Sequence, residues 1–371
     1  MLLTTANDSH RLTILLSFLV FSASAGLPSV AIAQTGSDSG ASRFPAVEVA
    51  HRFGPPGESN VRSSIRLDDG IALMGTEETG DIFKTTDAGE TWTKAIDGKE
   101  LWDIQDVRNF HRASNGRLYA TTSEPALVIS SEDEGETWKV LARPAASRTV
   151  ALTQLDTGEF LVGLRRSEND KISLVRSAND FETTETIVLD DELPRQNTTC
   201  LIDLGGGNVL CGIGYEASGK IFRSSDSGKT WSMTAEFPEA RDVMNFYTVG
   251  EKVFVLTSGI ATIFVSEDSG QTWAKHAQIW AKGFLGQHAV LNHGGQTYHL
   301  LAATDQREKK KRHVVLISND GENWEEWIEL ATDSSGGTSN LAVISDDTIV
   351  VGTGNHSVQG FVYTLKVKSE P

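Results

Sequence analysis

The chain has 371 residues, 50 acidic against 33 basic side chains, and a formal net charge of −17. That balance argues against a nucleic-acid binder, because affinity for the phosphate backbone comes largely from Lys and Arg displacing counterions. With 39% hydrophobic and 22% charged residues, the composition is that of a globular protein, neither disordered nor inserted in a membrane.

Residues 1–33 read as a secretory signal. Arg11 precedes an apolar run from Leu12 to Ala25, too short and Ser-rich for a membrane span, and Ala31-Ile32-Ala33 offers the small-x-small pattern of a cleavage site. A mature chain starting at Gln34, a flexible linker over 34–45 and one domain over 46–371 are expected, in the periplasm or outside the cell. No Cys follows the apolar run, so a lipid anchor there is not expected.

The domain opens with a pattern of short strands. Val61–Leu67 alternates, Asp68-Asp69-Gly70 turns the chain, Ile71–Gly75 runs back, Asp81–Thr85 leads into a second turn and Trp92–Ile96 leaves it. That second turn carries the strongest repeat in the sequence. Thr85–Trp92, Ser131–Trp138, Ser224–Trp231 and Ser266–Trp273 all read Ser/Thr-x-Asp-x-Gly-x-Thr-Trp, and degraded copies begin at Ser177 and Ser318. Starting positions 85, 131, 177, 224, 266 and 318 give steps of 46, 46, 47, 42 and 52 residues, the period of a propeller blade. Asp and Ser side chains bond the turn backbone, Gly takes a positive φ, and Trp buries a large ring, so the motif reads as scaffold and its Asp residues are not candidates for catalysis or calcium.

First turns of the same kind recur at Ser114-Asn115-Gly116, Asp156-Thr157-Gly158, Gly205-Gly206-Gly207, Gly250-Glu251, Gly294-Gly295 and Asp346-Asp347. The expected fold is therefore all-β, a β-propeller of seven four-stranded blades, with six blades the alternative. The last unit offers three strands, Ser339–Ser345, Thr348–Gly352 and Gly360–Val367, and Ala46–Phe53 supplies the fourth, closing the ring with N- and C-terminal strands. Cys200 and Cys211 flank the Gly205-Gly206-Gly207 turn almost symmetrically. In an oxidising compartment they are expected to pair as a disulfide, the alternative being two buried thiols.

These boxes resemble those of the Asp-box (BNR) repeat propellers of the sialidase-like superfamily, over nearly the whole mature chain. The resemblance implies a fold whose members include sialidases, polysaccharide-active enzymes, receptor ectodomains and photosystem assembly-factor propellers.

In a four-stranded blade, the loops from strand two to three and from strand four to the next blade share a face, opposite the Asp-box turns. That face receives Glu77, Glu124, Arg165, Tyr215 and Glu216 from the first loop set and Trp102, Arg241, Asp242 and Trp280 from the second. Aligned on the turns, Arg62 and Arg108 are equivalent near the channel mouth, and the same register brings His288 there. Arg62, Arg108 and Arg165 suit an anion held by forked hydrogen bonds, although arginines in blades also pair with neighbouring carboxylates. Trp102 and Trp280 suit stacking on a sugar ring, or packing of the rim. Glu77, Glu124 and Glu216 are the sources of the two carboxylates that glycoside hydrolysis needs, and Tyr215 resembles a sialidase nucleophile. No segment matching the opening motif of true sialidases is present.

The leading expectation is recognition, with cleavage, of an acidic glycan. The alternative is a non-catalytic binding or assembly propeller that meets a protein partner. A monomer is expected, with no cofactor, metal, nucleic acid or membrane insertion. The run Arg307–Arg312 reads as a solvated charge cluster in an exposed loop, with contact to an anionic polymer the lesser reading.

Overall fold

The computed structural model describes residues 43–368 apart from 168–170, 191–195, 216–217, 331–335 and 356–357. The signal expected over 1–33 lies outside the described residues, as does most of the linker. The linker's last residues are docked: Phe44 is buried edge-on to Tyr298, and the Pro45 carbonyl accepts a hydrogen bond from Trp327 Nε1 at 2.9 Å.

The fold is all-β, antiparallel and propeller-like, and the one helix among the described residues, Gly98–Trp102, spans a single turn. The first unit runs Asn60–Asp68, Ile71–Glu77, Ile82–Thr85 and Thr93–Ile96, each strand paired antiparallel with the next. Its second strand is buried on both faces and accordingly reads Ile-Ala-Leu-Met-Gly, whereas the outermost strand, Thr93–Ile96, is largely exposed and reads Thr-Lys-Ala-Ile. The same order recurs in Asp106–Arg112, Leu118–Ser123, Val128–Ser131 and Lys139–Ala142. Near the chain ends, Val47–Phe53 pairs with Val358–Val367, setting Val47 opposite Val367 and Phe53 opposite Val362.

The Asp-box turns are hydrogen-bonded knots. In the second, Ser131 Oγ donates to Asp133 at 2.8 Å and accepts from Gly135 N at 2.8 Å, while Asp133 accepts from Thr137 N at 2.8 Å and Thr137 Oγ1 at 2.5 Å. The Thr137 bonds hold the Asp133 carboxyl down at about 2, as Thr272 does for Asp268. Each full box also seats its glycine against a neighbouring unit: a Cβ on Gly135 would lie 2.6 Å from Leu73 Cδ1, and one on Gly228 2.7 Å from Leu161 Cδ1. In the degraded box Phe181 occupies the glycine position with φ 67°, donates its N–H to Ser177 Oγ and buries its ring against Phe160. Burial of the ring there offsets the left-handed backbone and replaces the missing Trp.

Two expectations are corrected. Cys200 and Cys211 are both free and buried. A β-bulge between Thr198 and Cys200 sets Leu201 opposite Cys211, so by alternation the two thiols lie on opposite faces of the hairpin and in different core clusters. His288, expected near the channel mouth, points into the sheet interior, because the register jumps from Leu285↔Ala303 to His288↔Leu301 and bulges Gly286 and Gln287 instead. Its ring stacks on Tyr247 at 4.4 Å and its Nε2 lies 3.0 Å from His299 Nδ1. Burial, and then the neighbouring His299, push the His288 ring down to about 3.

The glycine seat yields a test with an internal control. Gly116 has φ 87° with nothing near its Cβ position, whereas Gly135 has φ 85° and Leu73 in the way. Gly116→Ala should cost about 1 kcal/mol from backbone strain alone, and Gly135→Ala about 2–4 kcal/mol, in urea unfolding. The buried histidine makes stability pH-dependent. Its folded pKa lies below the ordinary 6.5, so the unfolded chain binds about one more proton as pH falls from about 6.5 to about 3, and stability drops through that window. His288→Phe should flatten that loss when urea midpoints at about pH 7 and about pH 4 are compared.

Candidate functional site

The innermost strands carry a β-bulge at one recurring position, and the bulges build the site. Pairing jumps from Val61↔Thr76 to Ser63↔Gly75, which leaves Arg62 without an opposite residue. The same jump frees Arg108 in Asp106–Arg112, Val150 in Ala146–Gln154, Thr199 in Asn197–Gly205 and Met244 in Asp242–Val249. A bulge re-aims its side chain out of the ladder. All five freed residues, with Gln287 from its own bulge, line one cavity of about 440 Å³.

Arg165, Tyr215, Arg241 and Asp242 complete that cavity, so Arg62, Arg108, Arg165 and Tyr215 come together. Behind the wall sit the acceptors. Arg62 pairs with Glu77, and Arg108 Nη2 lies 2.8 Å from Asp106 Oδ2 and 3.9 Å from Glu77 Oε1. Burial alone would raise Asp106; the charges of Arg108 and Arg62 and a hydrogen bond from Ser123 Oγ outweigh it and hold the carboxyl below its usual range. Burial, and then the Arg62 charge, lower Arg108 itself to about 10. Arg165 lies over the Tyr215 ring, its Cζ 4.0 Å from the centroid. Tyr215 N donates to Asp242 Oδ1 at 2.7 Å, and Arg241 Nε donates to Asp242 Oδ2 at 2.8 Å.

Among the described residues lining the cavity, four are arginines and Asp242 is the one carboxylate. An anion entering it meets arginines from three strands and from the turn before Asp242–Val249. Glu77 is buried and ion-paired with Arg62, and Glu124 accepts both Nε and Nη2 of Arg148, at 2.9 and 2.6 Å, away from the cavity lining. Carboxylates tied up in this way are poorly arranged to serve as a proton donor and a base on either side of a glycosidic bond. Glu216 lies outside the described residues.

The two tryptophans do not reach the cavity. Trp280 is 5% exposed in a cluster with Leu256 and Leu285; its strand, Ala274–His293, is bulged on both sides of the Ala261↔Trp280 pair, and Arg307 Cζ lies over its ring, 6.0 Å from the centroid. Trp102 closes the short helix and is half-buried against the cluster of Ile104 and Leu127. Sequence reasoning passed over Gln287 and Asn109 as lining residues, and named Arg241 only as a loop residue. A bulge shifts register without a composition signal; the one trace is the recurring Val-Arg start of two inner strands.

Comparison with known proteins follows from this geometry. The family model described as photosynthesis system II assembly factor YCF48 matches residues 37–250, and one for sortilin, neurotensin receptor 3, matches residues 219–359. A curated relative, the photosystem II assembly lipoprotein Ycf48 of Nostoc sp. (strain PCC 7120), is 27% identical over 183 residues, 48% of each chain. The chain thus spans about half the length of the curated relatives it matches. Among solved structures, YCF48 bound to D1 peptide covers 89% of this chain and 99% of its own at TM-score 0.61 and 14% identity. The GH74 xyloglucanase of Xanthomonas campestris reaches TM-score 0.60 at 13% identity, over 86% of this chain and 54% of its own. At such identities both structures speak for the fold alone, and the distinction comes from the sequence relatives. These favour the alternative, a non-catalytic assembly propeller, over the leading expectation of glycan cleavage. Because the assembly-factor model spans more than half of its length, the chain belongs to the photosynthesis system II assembly factor YCF48 family.

Proposed function

We propose that the chain is an exported, non-catalytic binding propeller whose arginine-lined cavity receives an acidic segment of a protein partner. The observation that carries this reading is the convergence of Arg62, Arg108, Arg165 and Arg241 on one cavity where, among the described lining residues, the one carboxylate, Asp242, is already bonded to Arg241 and Tyr215 N. Guanidinium groups grip carboxylates through paired hydrogen bonds, and a fixed fork loses little freedom on binding. The similar structure that carries a peptide and the relative named as an assembly lipoprotein support a protein partner rather than a sugar.

The architecture that accompanies this reading is a ring of seven blades. Its support is the bulged inner strand in each repeat, the packing of Asn60–Asp68 against both Asp106–Arg112 and Gly337–Ser345, and the terminal pairing of Val47–Phe53 with Val358–Val367. The domain so formed runs on from residues 1–33, which we read as a signal, and acts as a monomer.

The test is fluorescence anisotropy of labelled acidic peptides, set against their Gln and Asn isosteres. Arg165→Ala and Arg241→Ala should each weaken the acidic peptide about tenfold, equivalent to about 1.4 kcal/mol, and added salt should weaken it further. Arg62→Ala instead removes the nearer of the two cations on the buried Glu77, leaving Arg108 at 3.9 Å, and should cost about 1–3 kcal/mol in urea unfolding. Failure of every acidic peptide to bind, together with product release from a panel of acidic glycans, would return the site to the glycosidases.

A further inference from the structure

The cavity leaves one cationic feature of its own face unused. We propose that Lys309, Lys310 and Lys311 form an outlying docking arm that captures the acidic partner segment before it seats among the arginines. The inference rests on the binding reading above and adds a second contact to it.

The loop lies on the cavity's side of the protein. It follows the strand Gln296–Asp305, whose end corresponds to Glu77 in Ile71–Glu77 and to Gly214, next to Tyr215, in Asn208–Gly214. Its base is fixed. Gln306 N donates to the Lys282 carbonyl at 3.1 Å, and Arg307 grips Asp305 through Nε at 3.0 Å and Nη2 at 2.7 Å. At the far end Arg312 binds Glu326 at 2.6 Å and Glu329 at 2.9 Å. Both arginines of the run are therefore consumed in holding the loop.

The lysines between them are not. Lys309 and Lys310 are exposed and Lys311 is half-exposed, and among the described residues none of the three has a salt-bridge partner. Glu308 is the only negative side chain within the loop. On a chain of net charge −17, an acidic segment is repelled at long range from most directions. A rigidly based lysine triplet on the cavity's face reverses that field locally. Charges at the rim of an interface act mainly on the rate of association and its salt dependence, while groups inside it set dissociation. The lysines and the cavity arginines thus divide the work between capture and retention.

The experiment is stopped-flow fluorescence with a labelled peptide of alternating Glu and Gly, using the full mature chain. Lys309→Ser, Lys310→Ser and Lys311→Ser combined should lower the association rate about three- to tenfold at low salt and flatten its salt dependence, with dissociation unchanged. Replacement of all three by Arg should keep the wild-type rate, and Arg165→Ala should act on dissociation instead. An unchanged association rate in the triple Ser variant, with Arg165→Ala still impaired, overturns the docking arm and leaves the binding reading standing. Absence of any peptide binding by the wild type overturns both. Loss of capture by phosphatidylglycerol vesicles in the triple variant, with peptide kinetics unchanged, also overturns it and makes the loop a lipid contact.

Discussion

Each full Asp-box places a glycine where a side chain of another unit already sits. Gly135 abuts Leu73, Gly228 abuts Leu161 and Gly270 abuts Leu210, at separations that leave no room for a Cβ. The Ser–Asp–Thr hydrogen bonds exist to hold that glycine in its left-handed conformation at the contact. A four-stranded unit cannot bury both faces of its middle strands alone, so stacking on the neighbours supplies the core. Everything nearer the axis depends on this stacking, because it fixes how closely the inner strands approach one another.

At the axis the polar chemistry is built from a backbone irregularity. The bulge that releases Arg62 and Arg108 into the cavity leaves Asn60 paired with Glu77, and Glu77 in turn paired with Asp106 of the next inner strand. Glu77 and Asp106 neutralise part of the arginine charge and keep the guanidinium groups in place. Burial and mutual repulsion lower the Arg108 pKa without removing its charge at neutral pH. An arrangement of this kind is a fixed electropositive wall. Such a wall suits an anion, and among the described lining residues Asp242 is the one carboxylate, where glycoside hydrolysis uses two.

Fold and function separate cleanly in this family of shapes. Solved structures of an assembly factor and of a xyloglucanase superpose on this chain about equally well, at TM-scores 0.61 and 0.60.

The sequence by itself determined the repeat, the strand order and the scaffold role of the Asp-boxes, because these rest on local rules: turn chemistry, alternation and a period near 46 residues. It also brought Arg62 and Arg108 into equivalence, since the first two units share a Val-Arg start. Tertiary structure decided what local rules cannot reach. One extra residue in a ladder separates Cys200 from Cys211 and turns His288 inward in favour of Gln287, while Arg241 reaches the cavity from the turn that precedes Asp242–Val249. Trp280 was legible as a large amphipathic ring, but whether it faces solvent or core depended on the bulges beside its pairing with Ala261. Bulges arise where neighbouring strands compete for space, so their outcome is a property of the packed sheets and not of any short stretch of chain.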